Sequence, residues 1–398
     1  MRVTGINDIL FREVFDSKGD AAIKATVKTL TGQTATATVS CVGVSDAKVN
    51  AAIDFGNTKL RKALRGIDTV EQNEVDRRIV SLVRSFANPA AGRLLARAVS
   101  QAVARVGARA AGRELHQHLR EFAPFSGPGW ALPVPVFEFF SNNTEEGFKT
   151  VSLSINPRAS KGPRRSLVTL MALARKTLAS FHRLLPVVLH SSLVRGSGRN
   201  ITLEEVLTAI VASAKKIGLR NSDVRIAVDF GQASVLEDER AISSEFFPEK
   251  EDTAMLQLCH SLIRRYPIGM IENAFQTDNA YGHAQRHFAN RVTFLRHDLA
   301  AKDAAILEKA VIRDEVGAAA IDLACFDTVS DALDYAVQAR GMNLARVLLT
   351  PNAEAIDDFL VDFGFAVSAE YLKLGSFLRG EHIVRYNRLL DLAHQQTL

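Results

Sequence analysis

Hydrophobic and polar positions alternate from the start of the chain. Between Val3 and Cys41, Lys24, Thr26 and Lys28 interleave with Ile23, Ala25 and Val27, and a Thr-Gly-Gln turn at 31–33 leads into a second alternating run at 35–39. Period two with one wet face predicts an antiparallel meander. Helical periodicity follows at 59–65, 70–83 and 94–119, the last an Ala/Arg-rich stretch with Ala and Val at close-packing positions and Arg outside. The breaker cluster PFSGPGWALPVPV, 124–136, marks a domain junction. Beyond it the rhythm changes. Helical windows at 203–217, 254–265, 302–313, 329–339 and 355–363 alternate with short apolar runs at 224–228, 268–271, 292–295, 318–321, 347–349 and 371–374. Repeated βα units of this kind mean a parallel sheet, and this many predict a closed (β/α) barrel. The expected domains are therefore 1–126, small and α+β, and 127–398, an α/β barrel.

What stands at the end of each apolar run is polar. Asp229 follows VRIAV, Glu272 follows IGMI, His297 and Asp298 follow VTFLR, Asp322 follows AAAI, Thr350 follows VLL, and Lys373 sits within YLKLG. The C-terminal strand ends of such a barrel line one mouth, so these groups are expected to converge although they are far apart in sequence.

Composition narrows the classes. Hydrophobic residues at 47% and charged residues at 23% describe an ordinary globular protein rather than a disordered one. A net charge of +5 is mildly basic, and short clusters at 161–165 and 195–199 read as solvated loop charge; a nucleic-acid partner is not expected. Cys41, Cys259 and Cys325 are odd in number and far apart, which argues against a disulfide framework or a cysteine zinc site and suits a reducing compartment. No apolar run approaches the roughly 20 residues of a membrane span, and no leader pattern precedes the first strand. A cytoplasmic address is expected.

Several longer stretches resemble the enolase family, over nearly the whole chain. REVFDSKGDAAIKATVKTLTGQ is similar to the family's opening ARE-x-LDSRGNPT-x-EV, and ALPVPVFEFFSNN to LPVPM-x-NxxNGG. RIAVDFG, YPIGMIENAF, LRHDLAAKD and KLGSFLRGEHIVRYNRLL are similar to IGxDxAxSE, YPIxSIEDPF, GDDLxVTN and KTGxxxRSERxAKYNQLL. The resemblance implies an enolase-type (β/α)8 barrel with irregular opening connections, preceded by a small α+β domain of a three-stranded antiparallel meander plus helices. It also implies Mg²⁺ at the strand ends, dehydration of 2-phosphoglycerate to phosphoenolpyruvate, and a homodimer.

The family's machinery carries over only in part. Asp229 and Glu272 fall on two metal carboxylates, and Lys373 on the lysine that contacts the substrate carboxylate. The third metal carboxylate is His297 here. Two carboxylates and an imidazole suit Mn²⁺ or Zn²⁺ better than Mg²⁺; the alternative is a strand-end histidine with no metal at all. The base lysine becomes Asp322, whose reference pKa is about 3.9 against about 10.4 for lysine. Thr350, Pro351 and Asn352 replace the serine, histidine and arginine of the phosphate-clamping loop, with loss of a bidentate guanidinium contact. Cys41 stands where a serine ligates a second metal. The loops 144–154, with Ser152, and 195–200 carry no clear counterpart of the catalytic glutamates. Two functions remain open on these residues. One is an enolase-like pseudoenzyme, a structural or binding component of a dimer or larger assembly, with cytoskeletal or flagellar association among the conceivable settings. The other is a divergent metal-dependent lyase using Asp229, Glu272 and His297 for the ion, Asp322 as base and Lys373 as anion contact.

Overall fold

The computed structural model describes residues 4–123, 132–141, 148–159, 162–184, 187–190, 193–196, 202–231, 248–299, 304–350, 355–377 and 379–395. The chain divides into two compact units, one of residues 1–131, 321–338 and 350–369, the other of 132–320, 339–349 and 370–398.

In the first unit the alternation produces its meander. β1 Ile6–Phe15, β2 Ala21–Thr29 and β3 Thr34–Ser40 form an antiparallel sheet. Phe11 faces Ala25, which faces Ala37 in turn. Ile9, Phe11, Ile23, Ala25, Val27, Ala35, Ala37 and Val39 are buried on one face. Against it pack α1 Asp46–Phe55, α2 Arg61–Leu64, α3 Gln72–Val83 and α4 Pro89–Ala110. Asn88 starts α4 by accepting from the Ala91 N–H at 2.9 Å, with Pro89 as the first helical residue.

The expected helical region 94–119 is two helices. α4 stops at Gly112, whose φ of +66° is the left-handed conformation that ends helices, and α5 Leu115–Glu121 starts afresh after Glu114. Hydrophobic periodicity does not register so short an interruption. Two later helices complete the unit, α11 Val329–Gly341 as far as Gln338, and α12 Phe359–Ala366. The latter begins four residues inside the window expected at 355–363 and runs three residues beyond it. Asp357 is engaged by Arg105 at 2.9 and 2.6 Å, Asp358 by the same guanidinium at 3.1 Å, and the helix starts only beyond them. All eight of its residues are buried, so it has no amphipathic period to mark its bounds.

His118 on α5 carries a pH prediction. It is 1% exposed, neither ring nitrogen has a hydrogen-bond partner among the described residues, and burial holds its pKa at about 4. An unfolded histidine titrates near 6.5. Between those values the unfolded chain binds a proton that the folded chain refuses, so stability falls as the pH falls, and is unaffected above about 6.5. Between pH 7 and pH 5 the expected loss is about 2 kcal/mol. Urea unfolding of the wild type and of His118→Phe at both pH values tests this: the variant is expected to lose less by about that amount, and an equal loss in both proteins would refute it.

The second unit is the barrel. Its ring runs β4 Val134–Ser141, β5 Thr150–Ile155, β8 Val224–Asp229, β9 Ile268–Glu272, β10 Thr293–Leu295, β11 Ala318–Ile321, β12 Ala345–Leu348 and β13 Tyr371–Gly375, and closes where β13 pairs with β4. β5 is antiparallel to both its neighbours, whereas β8 pairs parallel with β9, β9 with β10, and β12 with β13. A hairpin of β6 Val187–His190 and β7 Leu193–Gly196 joins the ring through β4. The accompanying helices are α6 Pro163–Leu184, α7 Leu203–Lys216, α8 Pro248–Arg265, α9 Asp278–Phe288, α10 Ala304–Ile312 and α13 Gly380–Gln395. Thr202 and Glu205 cap α7 reciprocally, at 3.2 and 3.0 Å. Ala227, Met270, Leu295, Ala318, Ala320, Val347 and Leu349 fill the interior as one apolar layer. No helix of the described residues is long and apolar enough to cross a membrane.

Candidate functional site

Above that layer, at the C-terminal strand ends, four of the expected groups meet: Asp229, Glu272, His297 and Lys373. In-register parallel pairing sets Asp229 beside Glu272 and Leu295 beside Glu272, so the last residue of β8 and the turn that follows β10 flank one carboxylate. Ligand atoms of Asp229, Glu272 and His297 all lie within 4.8 Å of one another. Glu272 is 1% exposed. Its Oε2 accepts from His297 Nε2 at 2.7 Å and from Lys373 Nζ at 2.8 Å. Its Oε1 is buried without a partner among the described residues. Burial alone would raise the carboxyl's pKa; the Lys373 charge and the His297 hydrogen bond outweigh it and hold the group well below the usual range. Burial likewise works against the Lys373 ammonium, and the neighbouring carboxylates, Glu272 foremost, push its pKa up.

Two residues outside the expected set complete the mouth. Asn273 sits at φ +49°, a left-handed position that asparagine tolerates. Its amide donates to Asp229 Oδ1 at 2.9 Å, and its carbonyl oxygen accepts from the His297 N–H at 2.9 Å, so one buried side chain ties two strand ends together. Asp229 Oδ1 also accepts from the Gly231 N–H at 2.8 Å. Glu138 on β4 feels Lys373, Glu272 and Asp229, and burial raises its carboxyl's pKa. Its signal was present in the sequence: it is the one charge in the otherwise apolar run VPVFEFF, and it falls on the first asparagine of the LPVPM-x-NxxNGG motif. Ser152, its in-register partner on β5, is buried, and its hydroxyl has no hydrogen-bond partner among the described residues.

Other expected residues have local roles. Asp298 pairs with Arg296 at 2.7 Å; that guanidinium also holds Asp278 at 2.6 Å and stacks over Tyr281. Asp322 follows β11, falls in the first unit, and accepts from the Ala324 N–H at 2.8 Å, capping its own short turn. Thr350 belongs to the first unit as well. Pro351, Asn352, 144–147 and 197–200 lie outside the described residues.

Cys41 is buried and its thiol is pushed up to about 11, chiefly by burial; Cys259 is buried and pushed up to about 12, and Cys325 is exposed. The thiolate is the reactive form. Native protein is therefore expected to give one fast alkylation and denatured protein three. Two fast thiols in the native state would show that Cys41 or Cys259 is open to reagent.

Asp229, Glu272 and His297 could hold a divalent cation, and the unpartnered Glu272 Oε1 supplies a vacant acceptor. The fit to Mg²⁺ is poor. That ion takes an all-oxygen shell, one donor here is an imidazole, and an ammonium lies 2.8 Å from the central carboxylate. Because an ionised carboxylate only accepts, His297 Nε2 carries the proton in its bond to Glu272 and has no lone pair to give until that proton leaves.

Residues 196–397, about half of the chain, match the family model described as Enolase, C-terminal TIM barrel domain. The chain is 27% identical to the enolase of Wolinella succinogenes, over 97% of this chain and 96% of that protein. It is 24% identical to an enolase of Helicobacter pylori and 23% identical to that of Elusimicrobium minutum, each over 98% of this chain and 96% of the relative.

Proposed function

The chain belongs to the enolase family, and from that premise we propose that it keeps the scaffold without the dehydration of 2-phosphoglycerate and acts as a binding or structural component, self-associated or within a larger assembly. The carrying observation is Asp322. It stands where the resemblance implies the lysine that removes a carbon-bound proton, and its carboxylate caps the turn that follows. With a reference pKa of about 3.9 an aspartate is a weak base, and its negative charge opposes the enediolate that must form beside it. Lys373 supports the same reading, because its ammonium already neutralises Glu272. General-base catalysis contributes about 10²–10⁴-fold. Phosphoenolpyruvate formation at high protein concentration, with Mg²⁺ and with Mn²⁺, is expected to fall below an ordinary enolase by at least about 10³-fold; turnover within a hundredfold would sink the proposal.

A second reading has its own support in the clustered Asp229, Glu272 and His297 ligand atoms: a divergent metal-dependent lyase of the enolase type, loaded with Mn²⁺ or Zn²⁺. An ion at 100 times its Kd stabilises a fold by about 2.7 kcal/mol. A rise in Tm with Mn²⁺ or Zn²⁺ that His297→Ala abolishes favours this reading, and no shift with either ion removes it.

A further inference from the structure

At the opposite end of the barrel from the carboxylate cluster, a cavity of about 210 Å³ is lined by Arg225, Arg291, Asn290, Thr293, Ser154 and Tyr371 around an apolar floor that includes Ala227 and Met270. The interior layer explains the space. Barrel layers are ordinarily filled by bulky branched side chains, whereas Ala227, Ala318 and Ala320 contribute single methyl groups here. Arg225 is led into this space by the strand pairing. Ile226 pairs with Ile268 and Ala227 with Met270, which leaves Gly269 as an extra residue in β9. A Cβ at Gly269 would lie 2.7 Å from Arg225 Cδ, so the stem of the arginine crosses a place that only glycine leaves clear. The guanidinium contacts the Val224 carbonyl at 3.1 Å. Neither Arg225 nor Arg291 has a carboxylate partner among the described residues. The nearby Glu370 is already engaged by Arg346, at 2.6 Å.

We propose that this cavity is a binding site for a small oxyanion, the phosphate or carboxylate group of a metabolite, held by Arg225 and Arg291 with the Tyr371 phenol and the Thr293 and Ser154 hydroxyls around it. Two guanidiniums without acidic partners among the described residues, beside neutral polar groups, match such a ligand in charge and in hydrogen-bonding sense. The volume lies below the roughly 300–1,000 Å³ of pockets that take drug-sized molecules, which sets the size of the occupant. The site stands apart from the mouth, so an active and an inactive protein would carry it equally.

The test is calorimetric titration of the full chain with inorganic phosphate and, separately, with malonate. Binding of either, weakened about ten- to a hundredfold by Arg225→Met, supports the proposal and says which head group is preferred. Gly269→Ala, which displaces the arginine without removing its charge, and Ala227→Leu, which fills the cavity, are expected to weaken binding as well, with melting temperatures confirming that each variant is folded. No binding of either anion at millimolar concentration, or binding that all three variants leave unchanged, overturns it.

Discussion

Lys373→Met is expected to destabilise the fold by about 3–5 kcal/mol. Nζ lies 2.8 Å from Glu272 Oε2, and the two residues are 4% and 1% exposed. Removing the ammonium leaves a buried carboxylate with His297 as its remaining hydrogen-bond donor among the described residues, and an uncompensated buried charge costs several kcal/mol. The same physics predicts the double variant. Replacing both members of a buried pair by apolar residues of similar size is often neutral, so Lys373→Met with Glu272→Met is expected to recover most of the loss. Urea unfolding of the two single variants and the double one gives the coupling directly. A single-variant cost under about 1 kcal/mol would mean that Glu272 is solvated or bound to an ion, and would move the balance toward the metal-dependent reading.

Gly375→Ala, two residues along the same strand, is expected to cost about 3 kcal/mol, from two terms that add. Gly375 has φ +73°, where a side chain costs about 1–2 kcal/mol. A Cβ there would also lie 2.4 Å from ring atoms of His382, and forcing a methyl group into a packed interior costs about 1–3 kcal/mol. Neither side has room to yield. His382 is 4% exposed with Nδ1 2.9 Å from the Ser376 carbonyl, and the Tyr386 hydroxyl donates to the Gly375 carbonyl at 2.8 Å. Gly66 is the control, because its φ of +82° is comparable and nothing lies within 4 Å of its Cβ position. Gly66→Ala should show only the backbone term, about 1–2 kcal/mol. Equal losses at the two positions would show that the His382 ring is no obstacle.

Much of the fold was legible because its signals are local. The one-sided alternation of residues 21–29 marks a strand with one wet face whatever it pairs with, and the apolar runs ending at Asp229 and Glu272 mark strands by themselves. Errors came where a local signal was missing or short. The break at Gly112 interrupts a helical stripe too briefly to disturb its period, and α12, apolar on every side, offers no period to read.

The sequence by itself determined which chemistry reaches the barrel mouth. Strand ends place side chains there as a property of each strand, so Asp229, Glu272, His297 and Lys373 were identifiable one at a time. Only the tertiary structure decided what these groups do to one another. Lys373 is 101 positions from Glu272 along the chain, and the two meet because the ring closes between β13 and β4. Asn273 links Asp229 to His297 because parallel register sets three strand ends level, and Glu138 joins the cluster from a strand that no metal or base motif marked. Periodicity is written residue by residue, whereas a charge pair exists only once closure and register bring distant strands within hydrogen-bonding distance.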